Sequence, residues 1–512
     1  MMLSRLLANT TRPRPVLTVT TIFLGAVLTT LQGRLFSSAL PDLRGQFGLD
    51  VLEGAWLGTA LNAAQLVTMP ITMWLTTVIG PVRMLCGPSL ILGLATFLIP
   101  LCAHNYPALV GLHIVTGLCL GIYLPLTMTL ALRNVKPQLW LMMMAFYSLR
   151  VSTGMDAGMG ASGWLVEDVS WHWVYWTASV VGPAIALLSW KAMPLMPIDR
   201  EGLRNTDWVG MALFCTGLVL GFVGIESAER LGWGDSGLVV SALIGGGILF
   251  GSALIRAKFR EGAFGDLIGL SNRNVRICLL IACLYGILMA PASLLIPSFI
   301  GQMGDLKPMQ TGAATLIAFA AYIATIPLAV YFARRLDSRL LIMIGLSLIA
   351  ITAWQGTHIN HDWRVDQFVT MLIMQSTGES IMLIGLIATI VINLNLLHAV
   401  AVHAYAPIAR VFAPIMAATA MTTWLRIAGD MSRESLRSYV PTGAPLVVDR
   451  AASGVAAIAH VVARESQVIA YIDGFHFVFW MGVLSLALAV LLRPSPPNPI
   501  APPIQIPDPA PS

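Results

Sequence analysis

Long apolar runs recur from one end of the 512-residue chain to the other. Each run has about 18 residues or more, which lets a helix cross the roughly 30 Å hydrocarbon core of a bilayer. Hydrophobic residues make up 57% of the chain and charged residues only 11%, and a soluble protein cannot hide that much apolar surface from water. The sequence therefore predicts an all-α polytopic membrane protein.

Glycine, proline and charged residues divide these runs into fourteen predicted spans. The spans lie near residues 16–38, 55–79, 84–103, 107–131, 138–162, 172–193, 207–226, 237–256, 275–297, 310–332, 338–356, 367–391, 400–426 and 474–493. Because the number is even, both termini are expected on the same side of the membrane.

The distribution of positive charge predicts which side that is. If the N-terminus is cytoplasmic, the segments on its side hold 18 of the 30 Lys and Arg residues, and the short loops opposite hold four. Cytoplasmic loops of membrane proteins carry such an excess, so both termini are predicted to be cytoplasmic. The same excess explains the net charge of +5, and nucleic-acid binding is not expected because no basic stripe alternates with exposed aromatic residues.

The residue types that carry covalent or metal chemistry form no recognisable arrangement. The six cysteines lie in or beside apolar runs without a CxxC or Cys/His cluster, which argues against a disulfide framework or a metal site. No nucleophile–base constellation is apparent either. The sequence predicts neither an enzyme nor a cofactor.

Several local strings occur in the order found in one transporter family. SGWLVEDVSWHWVYW (162–176) is similar to that family's GGWL…WRWxF landmark, and TDWVGMALFCTGLVLGFVGIESAERLGWGDS (206–236) to its DWxG…GxxWGW segment. From residue 31 to about 493 the chain resembles the fourteen-span drug:proton antiporters of the major facilitator superfamily, the EmrB/QacA type. The resemblance implies two six-helix bundles around a central cavity and alternating access by rocking of the bundles.

The resemblance also divides the chain into segments. It implies a cytoplasmic N-terminus (1–15), a first bundle (16–193), two extra spans (207–256), a second bundle (275–493) and a disordered proline-rich cytoplasmic tail (494–512). The second bundle includes an outer loop at 427–473, which the sequence predicts as two short helices divided by PTGAP. Gram-negative members can dock a periplasmic adaptor protein, and this loop is the surface expected for it.

The family's gate and packing motifs are present in altered form. In the loop after span two, MWLTTVIGPVR keeps Gly80 and Arg83 but has Thr77 at the acidic position. The loop after span ten keeps four charged residues: Arg334, Arg335, Asp337 and Arg339. Both loops are interpreted as cytoplasmic gates. For the loop after span ten, simple anchoring of the arginines at the inner membrane face is the alternative.

The antiporter motif of span five appears as GMDAGMGASG, with Met159 at the family's proline position. Gly154, Gly158 and Ser162 are spaced four apart, and Gly163 ends the motif. Such a small-residue stripe lets another helix approach closely, so helix packing is the predicted role.

Charged and polar groups within spans are the strongest candidates for function, because lipid exposure would cost each about 2.5–3.5 kcal/mol. In span one, LQGRLFSSALP has Gln32 where the family's LDxTxxNxALP has its acid, and Arg34 where it has Thr. The coupling proton is therefore expected on another titratable residue: Asp156, Glu379 or His113. The candidates for lining the substrate cavity are Gln32, Arg34, Arg150 and Arg410.

These roles have structural alternatives. His113 can be a hydrogen-bonded packing residue, Arg34 can form an ion pair with one of the acids, and Arg410 can tie two helices together.

Together these features predict a proton-coupled transporter of the bacterial inner membrane that exports small amphiphilic compounds. The excess of buried arginines over acids favours neutral or anionic substrates. Two alternatives remain open at this point, a proton symporter that takes up an organic acid and a membrane sensor or partner protein without transport.

Overall fold

The computed structural model describes residues 15–260, 262–304, 308–393, 399–438 and 453–494, and within these ranges the chain forms fourteen long helices. In chain order they are α1 (Pro15–Phe47), α2 (Val51–Ile79), α3 (Pro81–Leu101), α4 (Tyr106–Leu120 and Tyr123–Asn134), α5 (140–169), α6 (Trp173–Ala192), α7 (Trp208–Leu231), α8 (Gly237–Phe259), α9 (Arg273–Gly304), α10 (Pro308–Ala333), α11 (Ser338–Gly356), α12 (Val365–Asn393), α13 (399–438) and α14 (Ser453–Val490).

Short polar side chains begin several of these helices. Asp50 forms a capping box with Glu53 at α2, in which its carboxylate accepts from the Glu53 amide at 2.6 Å. Such caps satisfy amide groups that have no partner within the helix. Four further helices, α4, α7, α9 and α11, begin with the caps Asn105, Asp207, Asn272 and Asp337.

Two separate apolar cores define two helix bundles. The first is built from α1, α2, α3, α4 and α6 around buried aromatic residues such as Tyr123 and Tyr175. The second is built from α9 to α14 around Phe299, Phe368 and Phe475. The predicted architecture, two bundles with two additional central helices, is confirmed.

Helix α5 joins the first bundle to the second along its length. Near its start, Leu141 and Met144 lie in one apolar cluster with Ile381 and Ile384 of α12 and with residues of α10 and α11. Near its other end, Gly160 crosses Gly312 of α10 so closely that a Cβ atom on Gly312 would lie 2.7 Å from the Gly160 Cα. The two bundles are therefore packed together on both sides of the α5 midpoint.

The extra pair, α7 and α8, touches both bundles. At one end of the pair, Nε and Nη2 of Arg256 in α8 donate to the carboxylate of Asp207, the residue that caps α7. This guanidinium lowers the pKa of Asp207 to about 2. At the other end Glu226 and Arg230 hydrogen-bond to Thr59 of α2, and Glu229 pairs with Arg426 of α13. Helix α7 thus connects a helix of each bundle.

The span count and the outer loop differ from the sequence prediction. Among the described residues, twelve helices are long and apolar enough to cross a membrane, and α2 and α5 are not among them. Both are long enough, at 29 residues for α2 and residues 140–169 for α5, but they carry more polar groups. Fourteen spans therefore remain a prediction.

The helices predicted on either side of PTGAP within 427–473 are present, but the prediction that they are short and separate was wrong. Residues 427–438 continue α13 and residues 453–473 begin α14, because no helix-breaking residue separates them from the neighbouring spans. The PTGAP segment, most of the N-terminal tail and the proline-rich tail from residue 495 lie outside the described residues.

The glycine crossing predicts a specific sensitivity. We expect Gly312→Ala to destabilise the protein by about 1–3 kcal/mol, because the added methyl group forces α5 and α10 apart. Thermal unfolding of the purified protein in detergent measures the effect. Gly247→Ala in α8 is the matched control, since a Cβ there meets no atom within 4 Å. Equal midpoints for the two variants would contradict the proposed tight crossing.

Candidate functional site: a polar cluster between the bundles

Three π-helical turns interrupt helices that face the junction of the bundles within the described residues. They are Thr153–Ala157 in α5, Pro291–Leu295 in α9 and Ile408–Phe412 in α13, and a fourth turn, Leu165–Val169, ends α5. A π-turn shifts the register of the helix and is common at functional sites. The first three turns contain Asp156, Ser293 and Arg410.

Asp156 lies where α5 crosses α10. Its side chain is 5% exposed and accepts a 2.5 Å hydrogen bond from the Ser152 hydroxyl, one turn earlier in α5. The Thr315 hydroxyl of α10 donates to the backbone carbonyl of Asp156 at 2.8 Å. A carboxyl group of the first bundle is thus held directly at the contact with the second.

Glu379 occupies a comparable position in the second bundle. It is 7% exposed and accepts hydrogen bonds from the Tyr285 hydroxyl at 2.9 Å and from the Gln375 amide at 2.7 Å. The same amide donates to the carbonyl of Leu288 at 2.8 Å, which fixes its orientation. Among the described residues, no cation lies within ion-pair distance of Glu379, so neutral donors hold it.

Arg34 reaches from the first bundle to the second. Its Nη2 atom donates to the Ser293 carbonyl of the α9 π-turn at 3.1 Å and approaches the Met159 sulfur at 3.4 Å. Gly158 makes room for it, because a Cβ there would lie 3.1 Å from the Arg34 Cβ. Arg34 also interacts electrostatically with Asp156, although at more than ion-pair distance.

Gly154 and Gly158 of the span-five motif face α1, whereas Gly160 faces α10. A Cβ on Gly154 would lie 2.6 Å from the Thr30 Cβ, and the Thr30 hydroxyl donates to the Arg150 carbonyl at 3.0 Å. Gly163 is buried further along α5, next to Ser162, whose hydroxyl donates to the Leu35 carbonyl. The motif therefore brings α5 against α1 and sets the position of Arg150 and Asp156.

Arg150 and Arg410 meet on a single aromatic ring. The guanidinium carbon of Arg150 lies 4.5 Å from the Tyr147 ring centroid and that of Arg410 lies 4.6 Å from it. The side chains of Tyr285 and Tyr322 lie near Arg150. The cluster thus joins side chains of α5, α9, α10 and α13.

His113 and Gln32 lie inside the first bundle. The His113 ring contacts the Leu109 carbonyl at 2.7 Å and the Tyr175 hydroxyl at 3.3 Å, and it packs against Phe36. Gln32 donates to the Val174 carbonyl of α6 at 2.8 Å. This geometry favours the packing alternative for His113, and it gives Gln32 a contact within the bundle rather than across the junction.

The two predicted gate loops have different local structures. Arg83 donates to the backbone carbonyls of Ile79 and Met196, and Gly80 has φ +87° with Met196 packed against it. In the loop after α10, Arg335 stacks on Tyr331, and the Asp337 carboxylate caps α11 by accepting from the Arg339 amide. Arg334 is exposed beside them.

Comparison with known proteins identifies the family. The family model described as Major Facilitator Superfamily matches residues 22–354. The chain belongs to the Major Facilitator Superfamily.

Relatives of this chain include proteins named for export and for resistance. It is 22% identical to the multidrug export protein EmrB of Haemophilus influenzae over 66% of both chains, just under two thirds of that protein's length. It is 21% identical to the fatty acid resistance protein FarB of Neisseria gonorrhoeae over 71% of both chains. The Escherichia coli proton:xylose symporter XylE has the same fold, with a TM-score of 0.57, 12% identity and coverage of 94% of this chain and 96% of XylE.

The sequence analysis did not single out some residues of the polar cluster between the bundles. Ser152 lies four residues before Asp156 and Gln375 four before Glu379, a spacing that places side chains together on one helix face, so both could have been found. Tyr147 lies three residues before Arg150, a spacing that also places side chains on one helix face, so it too could have been found. Tyr285 and Thr315 carry no such signal. Their role depends on which helices meet.

The Tyr285 hydroxyl can be tested without disturbing packing. Tyr285→Phe is expected to destabilise the protein by about 1.5–3 kcal/mol, because the hydrogen bond from the Tyr285 hydroxyl to the buried Glu379 carboxyl group is lost. Thermal unfolding measures the change. Tyr331→Phe, on the exposed face of α10, is the control and should leave the midpoint unchanged. If both variants unfold together, the Tyr285–Glu379 bond contributes nothing to stability.

Proposed function

We propose that this chain is a proton-coupled secondary transporter that exports small amphiphilic compounds by alternating access. The observation that carries the proposal is a pair of buried carboxyl groups, one in each bundle. Asp156 lies at the α5–α10 crossing between the bundles, and Glu379 is held within the second bundle by Tyr285 and Gln375. The two groups also interact electrostatically with each other.

Their surroundings suit groups that gain and lose protons. A charge in the membrane interior is costly, so binding of a proton to either carboxyl removes that cost, and loss of the proton restores it. The contacts of Asp156 come from both bundles, through Ser152 on one side and Thr315 on the other. Rocking of the bundles would change these contacts and the access of water together. Proton occupancy and the inward or outward state would then be coupled.

We assign the other cluster residues to positioning and binding. Arg34 ties α1 to the α9 π-turn and lies on the substrate route, with Arg150 and Arg410 deeper in the junction. Gly154, Gly158 and Gly163 let α5 approach α1. His113 and Gln32 are assigned to packing within the first bundle.

The relatives' names support export of amphiphilic compounds. EmrB is named for multidrug export and FarB for fatty acid resistance. We propose the bacterial inner membrane as the location, with both termini and the gate loops at Arg83 and Arg334–Arg339 in the cytoplasm. In this orientation the extensions of α13 and α14 reach into the periplasm, where an adaptor protein could dock.

Uptake of an organic acid by proton symport is the alternative on the same fold. Vesicles of known orientation distinguish the two directions. In inside-out vesicles acidified inside by respiration, we expect accumulation of an exported dye, and in right-side-out vesicles we expect none. Accumulation in right-side-out vesicles driven by an inward proton gradient would overturn export. A non-transporting sensor would give no flux in either orientation.

The two acids predict a coupling phenotype. In proteoliposomes, Asp156→Asn or Glu379→Gln should reduce the rate of proton-driven transport at least about tenfold, because each variant removes a group that binds the coupling proton. A tenfold change corresponds to about 1.4 kcal/mol. Substrate exchange without a proton gradient should persist, because it does not need net proton movement. Asp366→Asn at the exposed start of α12 is the control. Intact proton-driven flux in both acid variants would refute the assignment.

A further inference from the structure

Arg150 and Arg410 form a pair of buried cations between the bundles. Arg150 is only 7% exposed, and Arg410 is partly buried. Because their guanidinium carbons lie 4.5 Å and 4.6 Å from the same Tyr147 ring centroid, they are no more than about 9 Å apart. Arg150 belongs to α5 of the first bundle and Arg410 to α13 of the second.

No carboxylate of the described residues neutralises this pair. The ion pairs within that part of the chain involve other cations, and none includes Arg150 or Arg410 within 4.0 Å. The Nε atom of Arg150 and the Nη1 atom of Arg410 are buried and have no hydrogen-bond partner among the described residues. Arginine keeps its proton in proteins, so both sites stay positively charged.

The acids of the cluster are already occupied elsewhere. Asp156 is bound by Ser152 and faces Arg34, and Glu379 is bound by Tyr285 and Gln375. Even with both acids ionised, the three arginines leave one positive charge in excess. Tyr147 offers a cation–π contact to each arginine, but one ring shared by two mutually repelling cations compensates them only in part.

We propose that Arg150 and Arg410 together bind the anionic head group, such as a carboxylate, of an amphiphilic substrate. The proposal rests on the proposed export function and adds a substrate class and a site to it. Guanidinium groups donate charge-assisted hydrogen bonds to carboxylates, and Nε of Arg150 and Nη1 of Arg410 provide one free donor from each bundle for such a ligand.

The position of the pair links binding to the transport cycle. One cation comes from each bundle, so an anion bound by both draws the bundles together at α5 and α13. When the bundles separate, the anion keeps one cation and loses the other, and its affinity falls. A substrate anion would thus stabilise the occluded state and be released more easily from an open one.

Direct binding to the purified full-length protein tests the site. In nanodiscs made only of phosphatidylcholine, radiolabelled dodecanoate is titrated alongside its methyl ester and tetraphenylphosphonium. We expect Arg410→Gln and Arg150→Gln to weaken dodecanoate binding by about tenfold or more, since each removes a charge-assisted contact. Binding of the neutral ester should change less than about twofold, and Arg410→Lys should retain part of the affinity because the charge remains.

Matched controls separate this site from a loss of folding. Lys258→Gln removes a cation stacked on Phe259 at 5.5 Å, on the exposed end of α8, and should leave dodecanoate binding unchanged. Equal weakening of dodecanoate and its ester in Arg410→Gln would overturn the anion site, as would absence of dodecanoate binding to the unmutated protein. Stabilisation by phosphatidylglycerol that depends on Arg410, without dodecanoate binding, would assign the pair to a lipid head group and overturn the substrate claim.

The outcome is independent of the coupling experiment. If the unmutated protein binds dodecanoate through both arginines but shows no proton-driven flux, the proposed function fails and the anion site stands. If proton-driven flux of a neutral compound is present and dodecanoate is not bound, the anion site fails and the proposed function stands.

Discussion

The cost of placing charge in the membrane interior controls the organisation of this protein. Five charged side chains, Arg34, Arg150, Asp156, Glu379 and Arg410, meet between two apolar bundles whose cores consist of ordinary aliphatic and aromatic residues. Each charge there must have a partner, because water cannot solvate it. The two acids have their side-chain partners in their own bundles. Arg34 and Arg410 each contact the other bundle and so bridge the junction.

Most of the fold could be predicted because its signal is local. Apolar runs of membrane-spanning length and short capped loops identify the helices, and sequence motifs indicate their grouping into bundles. The sequence located α2 and α5 as spans even though both are more polar than the neighbouring helices. It did not show that α13 and α14 continue as helix past their predicted spans. Hydropathy measures the environment of a helix, not whether the helix continues.

The candidate site was predictable only in part. Residue type and depth singled out Asp156, Glu379 and the arginines, since unpaired charge is rare in spans. They did not separate these residues from His113 and Gln32, whose partners lie within the first bundle. The π-turns explain why: a local change of helical register alters the face on which Asp156 and Arg410 lie, and ideal helical periodicity does not anticipate it.

The arginine of α1 and the acid of α5 are physically related. Span one has Gln32 at the position where the family pattern that it resembles has an acid, and it has Arg34 two residues further on. In the structure Arg34 lies against Gly158, where a Cβ would come within 3.1 Å of the Arg34 Cβ. The acid nearest to this arginine is Asp156, in the adjacent π-turn of α5. Arg34 of α1 and Asp156 of α5 thus lie near each other beside the α5–α10 crossing, which under the proposed mechanism is where the bundles move against each other. An acid in this position responds to the relative movement of two bundles, whereas an acid confined to α1 would respond mainly to its own bundle.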